Sequence, residues 1–253
     1  MQIDKIVIQT GNYFEVYTYQ KAIEIDNKYR LTKPLRKQRR DRKNNKEINP
    51  DYVLKASARA KNKIRRLIVG NMWQAPERLR FVTLTFRKSL TDLNEANYQF
   101  QLYRQLIGRK MKKPLSYVAV PEIQPKRFKR TGEAVWHFHY IAFNQPYYDV
   151  KTEIEPMWRN GLCWVNEVYK TEGTGNYLAK YLSKSYADPR MKNRKRYYNA
   201  VDHQPISIYH PTTTAHIHHN LLNTANPIRD YPLYRNNNKD EPVGHKEEFI
   251  LLS

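Results

Sequence analysis

The sequence predicts an α+β fold with a ferredoxin-like, RNA-recognition-motif-like antiparallel sheet. From residue 79 to residue 188, β-rich segments and segments of helical periodicity alternate in the order β-α-β-β-α-β-α. The first six elements of this order are those of the ferredoxin-like fold, and the seventh is a helix that carries two tyrosines. Apolar residues make up 40% of the 253-residue chain, which is enough to build the core of such a domain.

The first half of this domain has recognisable boundaries. LRFVTLTF, at 79–86, is the first strand, because β-branched and aromatic residues favour strands. Thr91 and Asp92 can cap the helix that follows, and Pro114 marks its end. Five residues at helical spacing are predicted to form its apolar face, namely Leu93, Ala96, Phe100, Tyr103 and Ile107. SYVAVPEIQ, at 116–124, is the second strand.

The second half begins with a basic turn, PKRFKRTGE, which joins the second strand to a third in an antiparallel hairpin. The third strand is AVWHFHYIAF at 134–143. A short helix then begins at Asp149 and ends at Gly161, and LCWVNEVY at 162–169 is the fourth strand. GTGNYLAKYLSKSYA opens the last helix, which stops before Pro189.

Three segments follow from this pattern. Residues 1–48 are predicted to form a β hairpin with its turn near Gly11-Asn12, followed by the basic arm KPLRKQRRDRKNNK at 33–46. This arm is either a solvated linker or a phosphate-binding segment, and the two are compatible. Residues 49–188 form the central domain, whose first helix begins at Asn49-Pro50 and whose core is 79–188. Residues 189–253 are a basic, polar C-terminal extension.

The charge of the chain predicts its partner. Lys and Arg number 45 against 24 Asp and Glu, a net charge of +21, which favours nucleic acid over an anionic membrane as the ligand. The 20 tyrosines suit single strands, whose bases stack on aromatic rings. An apolar run of membrane-spanning length and an export signal are both missing, and Cys163 is the single cysteine, so the expected location is the cytoplasm.

The first chemical feature is the pair His137 and His139 in VWHFHYIAF. Residues i and i+2 of a strand project from one face about 6.6 Å apart, so both imidazoles can reach one ion. Glu122 lies on the preceding strand, and Gln124 is the alternative third ligand. Two imidazoles and a carboxylate would suit Zn, Mn, Fe or Co. The alternatives are histidines hydrogen-bonded in the core and a Glu122 that pairs with an arginine.

The second feature is YLAKYLSK at 177–184. On a helix, Tyr177 and Tyr181 share one face, and Lys180 and Lys184 form a pair on a neighbouring stripe. A tyrosine, with its pKa near 10, attacks a phosphodiester only if a cation stabilises the charge that develops. The alternative is an ordinary amphipathic helix. A further histidine cluster in the polar tail, at His216, His218 and His219, is interpreted as surface or incidental.

FVTLTF, then Glu122 with HFHYI, then YLAKYLSK resemble the three motifs of HUH endonucleases, which are rolling-circle replication initiators of small phages and plasmids. The doubled Tyr-x-x-Lys is most similar to the two-tyrosine, phage type, and the resemblance covers roughly residues 55 to 200. It implies that His137, His139 and Glu122 hold one Mg²⁺ or Mn²⁺. It also implies that Tyr177 forms a 5′-phosphotyrosine and leaves a free 3′-hydroxyl, and that Tyr181 makes a second cut. Lys180 and Lys184 would position the phosphate.

Several expectations accompany this resemblance. Thr83 and Thr85, in the first motif, are either core residues or DNA contacts. The sequence contains no phosphate-binding GxxxxGK[ST] loop, so a host or element-encoded helicase would unwind the DNA and a polymerase would extend it. Sequence-independent phosphate contacts are expected from basic residues in three segments: Arg36, Arg39, Arg40, Lys126, Arg127, Lys129, Arg130, Arg194, Lys195 and Arg196.

Three alternative functions remain open at this stage. A relaxase or transposase of the same superfamily would use the same chemistry. A non-catalytic single-strand binder would bind equally well without metal, with its tyrosines serving as stacking platforms. A metal-stabilised structural protein would unfold on chelation.

Overall fold

The computed structural model describes residues 2–24, 50–73, 76–168, 194–234 and 242–251. The chain divides into two compact units, a central unit, Asn49–Asp202, and a terminal unit made of Met1–Ile48 and His203–Ser253. Each contains a five-stranded antiparallel sheet. Within the described parts of the chain, no helix combines the length and the apolar character that a membrane crossing requires.

The elements, in chain order, are as follows. Strands β1 Gln2–Thr10 and β2 Tyr13–Glu24 precede helix α1 Pro50–Asn71 and a 3₁₀ turn at Pro76–Arg78. The central sheet and its helices comprise β3 Arg80–Thr85, α2 Leu93–Met111, β4 Tyr117–Ile123, α3 Pro125–Thr131, β5 Trp136–Ala142, a π-helical turn Val150–Ile154 that continues into α4 Glu155–Trp158, β6 Cys163–Glu167 and β7 Tyr198–Ala200. The remaining elements are β8 Ile206–Ile208, α5 Pro211–Thr224, β9 Arg229–Tyr234 and β10 Pro242–Ile250.

The central sheet has the strand order β6-β3-β5-β4-β7. Strand β5 separates β3 from β4, and β3 separates β5 from β6, so both strand-helix-strand units are split in the ferredoxin-like manner. The predicted fold class is therefore confirmed, and β7 is an additional edge strand beside β4.

Helix α2 covers one face of the central sheet. Asp92 caps it by accepting a hydrogen bond from the backbone N–H of Asn94 at 2.8 Å. Its buried residues are the five that the sequence predicts: Leu93, Ala96, Phe100, Tyr103 and Ile107. They pack with Trp136, Phe138 and Tyr140 of β5 in the larger of the described apolar clusters, so α2 and the alternate residues of the strands make the main core.

Helix α1 packs on part of the opposite face. It begins at Pro50, as predicted, and its buried Ile64, Leu67 and Ile68 join Val120 and Ile141 of the sheet in a second apolar cluster. This cluster does not extend to the ends of β3, β4 and β5 that carry polar residues on the same face. That polar end of the face is the region in which the candidate site lies.

The segment between β4 and β5 is a short helix, α3, where the sequence predicts a turn. Pro125 occupies its first turn, where the missing N–H costs nothing, and Gly132 ends it with φ 70. The Gly132 N–H donates to the carbonyl of Phe128 at 2.9 Å. The basic side chains of this segment are therefore arranged around one helix.

The terminal unit joins both ends of the chain in the strand order β8-β1-β2-β10-β9. Strands β1 and β2 form a hairpin around Gly11, whose φ is 58, at the place where the sequence predicts it. The sequence predicts 189–253 as a separate extension, whereas here the central unit continues to Asp202 and residues from 203 share a sheet with the hairpin. This pairing depends on long-range register, which local periodicity does not encode.

A buried ionic cluster lies on the terminal sheet. The Lys246 ammonium is 2.7 Å from Glu15 Oε1 and 2.5 Å from Glu248 Oε1, and these three residues are at most 3% exposed. The hydroxyls of Tyr13 and Tyr231 donate to Glu15 and Glu248 at 3.0 and 3.1 Å. Charges at this depth require such partners, so the cluster is a structural feature of the terminal unit.

Candidate metal centre

Glu122, His137 and His139 converge on the polar end of the central sheet. Glu122 Oε2 lies 2.8 Å from His137 Nε2 and 2.9 Å from His139 Nε2, and the two Nε2 atoms are 3.1 Å apart. The exposed fractions of these residues are 4%, 9% and 5%, so the cluster is buried. Among the residues that the structure describes, this is the one group of three metal-ligating side chains with donor atoms in mutual reach.

The pleat of two neighbouring strands produces this convergence. In the β4–β5 ladder Glu122 lies directly opposite His137, so their side chains share a face. The residues that alternate with the histidines turn into the main core, where Phe138 stacks on Phe100 with ring centroids 4.5 Å apart. Because Phe138 fixes the orientation of β5, His137 and His139 must face the polar side.

Thr83 provides a hydrogen-bonding partner for the triad. Its Oγ1 lies 2.9 Å from Nδ1 of His139, and Thr83 is opposite His139 in the β3–β5 ladder. When Nδ1 carries the ring proton, it donates to this hydroxyl, and the Nε2 lone pair is directed at the cluster. The Phe81 ring stacks on the same imidazole at 5.7 Å between centroids. Thr83 therefore has a contact that the sequence analysis, which weighed core packing against DNA contact, does not predict.

The carboxylate of Glu122 is ionised. Burial by itself would raise its pKa, but hydrogen bonds from His137 and His139, together with the charge of the imidazoles, lower it to about 2. A carboxylate with this pKa is available as a ligand throughout the physiological pH range.

The donor atoms fit a divalent cation. Two imidazole nitrogens and one carboxylate oxygen are ligands that Mn²⁺ and related ions accept. The three atoms are separated by 2.8, 2.9 and 3.1 Å. An octahedron with bonds of about 2.1 Å has adjacent ligands about 3.0 Å apart, so the three separations match one face of an octahedron. The residues present are therefore suited to hold one such ion, with the remaining positions directed away from the sheet.

A cleft of about 620 Å³ opens above the triad. Its walls include Thr83, Thr85 and the three triad residues, with Leu162 and Trp164 of the β6 region on one side and Gln124, Lys126 and Arg127 on the other. Gln124, the alternative third ligand, lines this cleft, and Glu122 is the residue that contacts both imidazoles.

Trp164 is a candidate site residue that the sequence analysis misses. It is 51% exposed, although its neighbours in sequence, Cys163 and Val165, pack in the main core. The alternation in LCWVNEVY separates Trp164 from these two residues, but only the pairing of β6 with β3 shows that it shares a face with the triad.

The predicted DNA-binding residues of α3 lie at the rim of the cleft or beside it. Lys126 is exposed on the cleft wall, and Lys129 and Arg130 are exposed in the last turn of α3. The Arg127 guanidinium instead donates to the carbonyl of Phe86 at 3.2 Å and to Ser89 Oγ at 2.6 Å. Arg127 thus holds α3 against the segment that follows β3.

The other predicted basic residues are divided between described and undescribed segments. Arg194 donates to Asn94 Oδ1 at 2.6 Å, and the Lys195 ammonium lies over the Tyr198 ring at 5.1 Å. Arg196 is half-buried. Two groups of predicted site residues lie outside the described residues: Arg36, Arg39 and Arg40 of the basic arm, and Tyr177, Lys180, Tyr181 and Lys184 of the tyrosine segment.

The second histidine cluster lies on α5 of the terminal unit. His218 Nε2 is 2.5 Å from Glu247 Oε2, and its Nδ1 is 2.8 Å from the Lys5 ammonium. His216 and His219 are exposed and contact asparagines one turn further along the helix. The three imidazoles have different partners, which agrees with their interpretation as residues outside the metal site.

The fold and the site define an α+β protein with a ferredoxin-like sheet and a candidate metal centre at the polar end of one face. Residues 79–186 match the model of a family of replication-associated proteins, the ORF2 family. The matched region begins just before β3 and contains the whole triad. The match supports a role in DNA replication and is consistent with a replication initiator. No curated protein and no solved structure matches the chain significantly.

Proposed function

We propose that this protein initiates rolling-circle DNA replication as a metal-dependent, single-strand DNA endonuclease that uses tyrosine as its nucleophile. The observation that carries the proposal is the convergence of Glu122, His137 and His139 within the region that matches the replication-associated family. The net charge of +21 supports DNA as the substrate.

The triad supports the chemistry through its arrangement. Glu122, His137 and His139 would hold one Mg²⁺ or Mn²⁺, which when bound supplies Lewis-acid stabilisation of the scissile phosphate. The adjoining cleft is large enough to admit the sugar-phosphate backbone next to this point. The buried strands hold the ligands in place, so little reorganisation accompanies the reaction.

The proposed nucleophile is Tyr177. Its phenolic oxygen forms a bond to phosphorus while the bond between phosphorus and the 3′ oxygen breaks, and the phenolic proton leaves. The products are a 5′-phosphotyrosine and a strand that ends in a 3′-hydroxyl. Lys180 and Lys184 would neutralise developing charge, and Tyr181 would attack in a second cut.

The covalent intermediate preserves the free energy of the phosphodiester. A 3′-hydroxyl can attack the phosphotyrosine in the reverse reaction, so the same site can rejoin strands. In this proposal the exposed basic residues Lys126, Lys129 and Arg130 contribute phosphate contacts that do not depend on sequence. A helicase and a polymerase would act as partners on the opened origin.

The test is a covalent-adduct assay. Single-stranded oligonucleotides that tile both strands of the element carrying the gene are labelled at the 3′ end, because the protein would remain on the 5′ phosphate. They are incubated with Mn²⁺ or with EDTA and separated on a denaturing gel. We expect a labelled protein adduct with Mn²⁺ that is lost in EDTA and in Glu122→Gln.

Tyrosine variants decide which residue is the nucleophile. If the adduct survives Tyr177→Phe or Tyr181→Phe alone but not the double change, both tyrosines are nucleophiles. Loss in Tyr177→Phe alone would assign the reaction to one tyrosine. If no oligonucleotide yields an adduct while binding persists in EDTA, the protein is a single-strand binder and the nickase proposal is wrong.

A further inference from the structure

Trp164 exposes a large aromatic surface beside the triad. Half of this side chain, 51%, is accessible, whereas Trp136 and Trp158 of the same unit are each 1% exposed. Leu162, 45% exposed, adjoins it on the same cleft wall. Burying a tryptophan stabilises a fold, so an exposed one in a cleft marks a surface that is suited to a ligand.

The strand register places Trp164 in line with the metal ligands. Trp164 is opposite Thr83 in the β6–β3 ladder, and Thr83 is opposite His139 in the β3–β5 ladder. Directly opposite residues share a face, so the three side chains form a row across the sheet. Two strand spacings put the backbone of Trp164 about 10 Å from that of His139.

The electrostatics of the cleft favour an anionic strand. Lys126 lines the wall opposite Trp164, and the chain as a whole carries +21. The cleft therefore combines a cation, a metal centre for a phosphate and an aromatic ring for a base. Single-stranded nucleic acid has these groups at this spacing, because each base is attached to a backbone phosphate through one sugar.

We infer that Trp164 is a stacking platform for one base of single-stranded DNA and that it positions the adjoining phosphodiester at the triad. This inference rests on the proposed function and adds a positioning residue to it. A base stacked on the indole fixes how far the strand can slide along the cleft. Trp164 thus contributes both to affinity and to the choice of the phosphodiester that is cut.

The test measures binding without catalysis. Affinity for a fluorescein-labelled single-stranded DNA of mixed sequence is measured by anisotropy in EDTA, for wild type, Trp164→Ala and Trp164→Tyr. Loss of one stacking platform weakens binding by about 5- to 140-fold, so we expect this range for Trp164→Ala. Trp164→Tyr retains an aromatic face and should bind within a few-fold of wild type.

Tyr98→Ala is the matched control. Tyr98 is 53% exposed, close to the value of Trp164, but it lies on α2, which covers the other face of the sheet. It should bind DNA as wild type does. An unchanged affinity in Trp164→Ala, or an equal loss in Tyr98→Ala, would overturn the inference.

Tryptophan emission gives a second readout. A base stacked on Trp164 should quench wild-type fluorescence, while the buried Trp136 and Trp158 cannot be reached in this way. Quenching should vanish in Trp164→Tyr although binding persists. Quenching of wild-type size in Trp164→Tyr would place the stacked base elsewhere and refute the inference.

The outcome can be separated from that of the nickase proposal. Because binding is measured in EDTA, a protein that forms no covalent adduct still reports whether Trp164 stacks a base. Conversely, normal DNA binding by Trp164→Ala, together with a metal-dependent adduct in the wild type, would retain the nickase and reject the platform.

Discussion

Replacing Thr83 with valine tests the hydrogen bond behind the metal ligands. Valine keeps the shape of threonine and removes the hydroxyl, which lies 2.9 Å from His139 Nδ1. Without this partner His139 can rotate or adopt the tautomer whose Nε2 carries the proton, and either change removes a ligand from the cluster. Changes to such supporting residues weaken metal binding 10- to 100-fold in other proteins, which corresponds to about 1.4 to 2.8 kcal/mol.

Thr85→Val is the matched control for this experiment. Thr85 lies on the same strand and face, but its hydroxyl donates to the carbonyl of Leu162 at 2.9 Å and is not bonded to an imidazole. Both variants and the wild type are titrated with Mn²⁺ by calorimetry at one fixed pH, because protons compete with the ion for the imidazoles. We expect Thr85→Val to bind as the wild type does and Thr83→Val to bind more weakly.

Two results would refute this reasoning. If Thr83→Val binds Mn²⁺ as tightly as the wild type, the hydroxyl does not orient His139. If the wild type itself binds no Mn²⁺, the triad is a hydrogen-bonded polar cluster and the metal assignment is wrong.

Three further predictions concern stability. Gly161→Ala would place a methyl group 2.4 Å from the carbonyl oxygen of Thr85, so thermal denaturation should show a loss of about 1–3 kcal/mol, whereas Gly108→Ala, with its nearest contact at 3.4 Å, should not be destabilised. Lys246→Met removes the ammonium that two buried carboxylates contact in the terminal sheet, and urea unfolding should show a loss of about 3–5 kcal/mol. The pKa of Glu122 is lowered from 4.5 to about 2, so its ionised form stabilises the metal-free protein fully above about pH 4.5. The difference in melting temperature between wild type and Glu122→Gln should therefore shrink as the pH falls from 4.5 towards 2, and a constant difference would contradict the assigned pKa.

The fold of the central unit is predictable because each of its elements has a local signal. The apolar face of α2 repeats at helical spacing, and Asp92 caps it in the manner that its side chain allows. In β5, aromatic residues alternate with the two histidines, so the strand period alone assigns both imidazoles to one face. Glu122 could be proposed as a partner because a hairpin brings β4 next to β5.

Features that depend on non-local register could not be predicted. Trp164 and His139 are aligned only through β3, and nothing in LCWVNEVY indicates which residue of β3 it faces. The turn predicted between β4 and β5 forms α3, because Pro125 and Gly132 supply a start and an end that a basic composition conceals. The polar strands of the C-terminal segment find their partners at the other end of the chain, beyond the range of any local pattern.

The discontinuous terminal sheet has a consequence for the order in which the protein folds during synthesis. Tyr19 of β2 pairs with Gly244 of β10, so the sheet closes only when almost all of the chain has left the ribosome. An isolated hairpin is marginally stable, and the β1–β2 hairpin must await its partner while Asn49–Asp202 is translated. Vectorial synthesis therefore delivers the triad-bearing unit first, and a nascent chain halted after Asp202 would contain the complete triad without the strand that closes the terminal sheet.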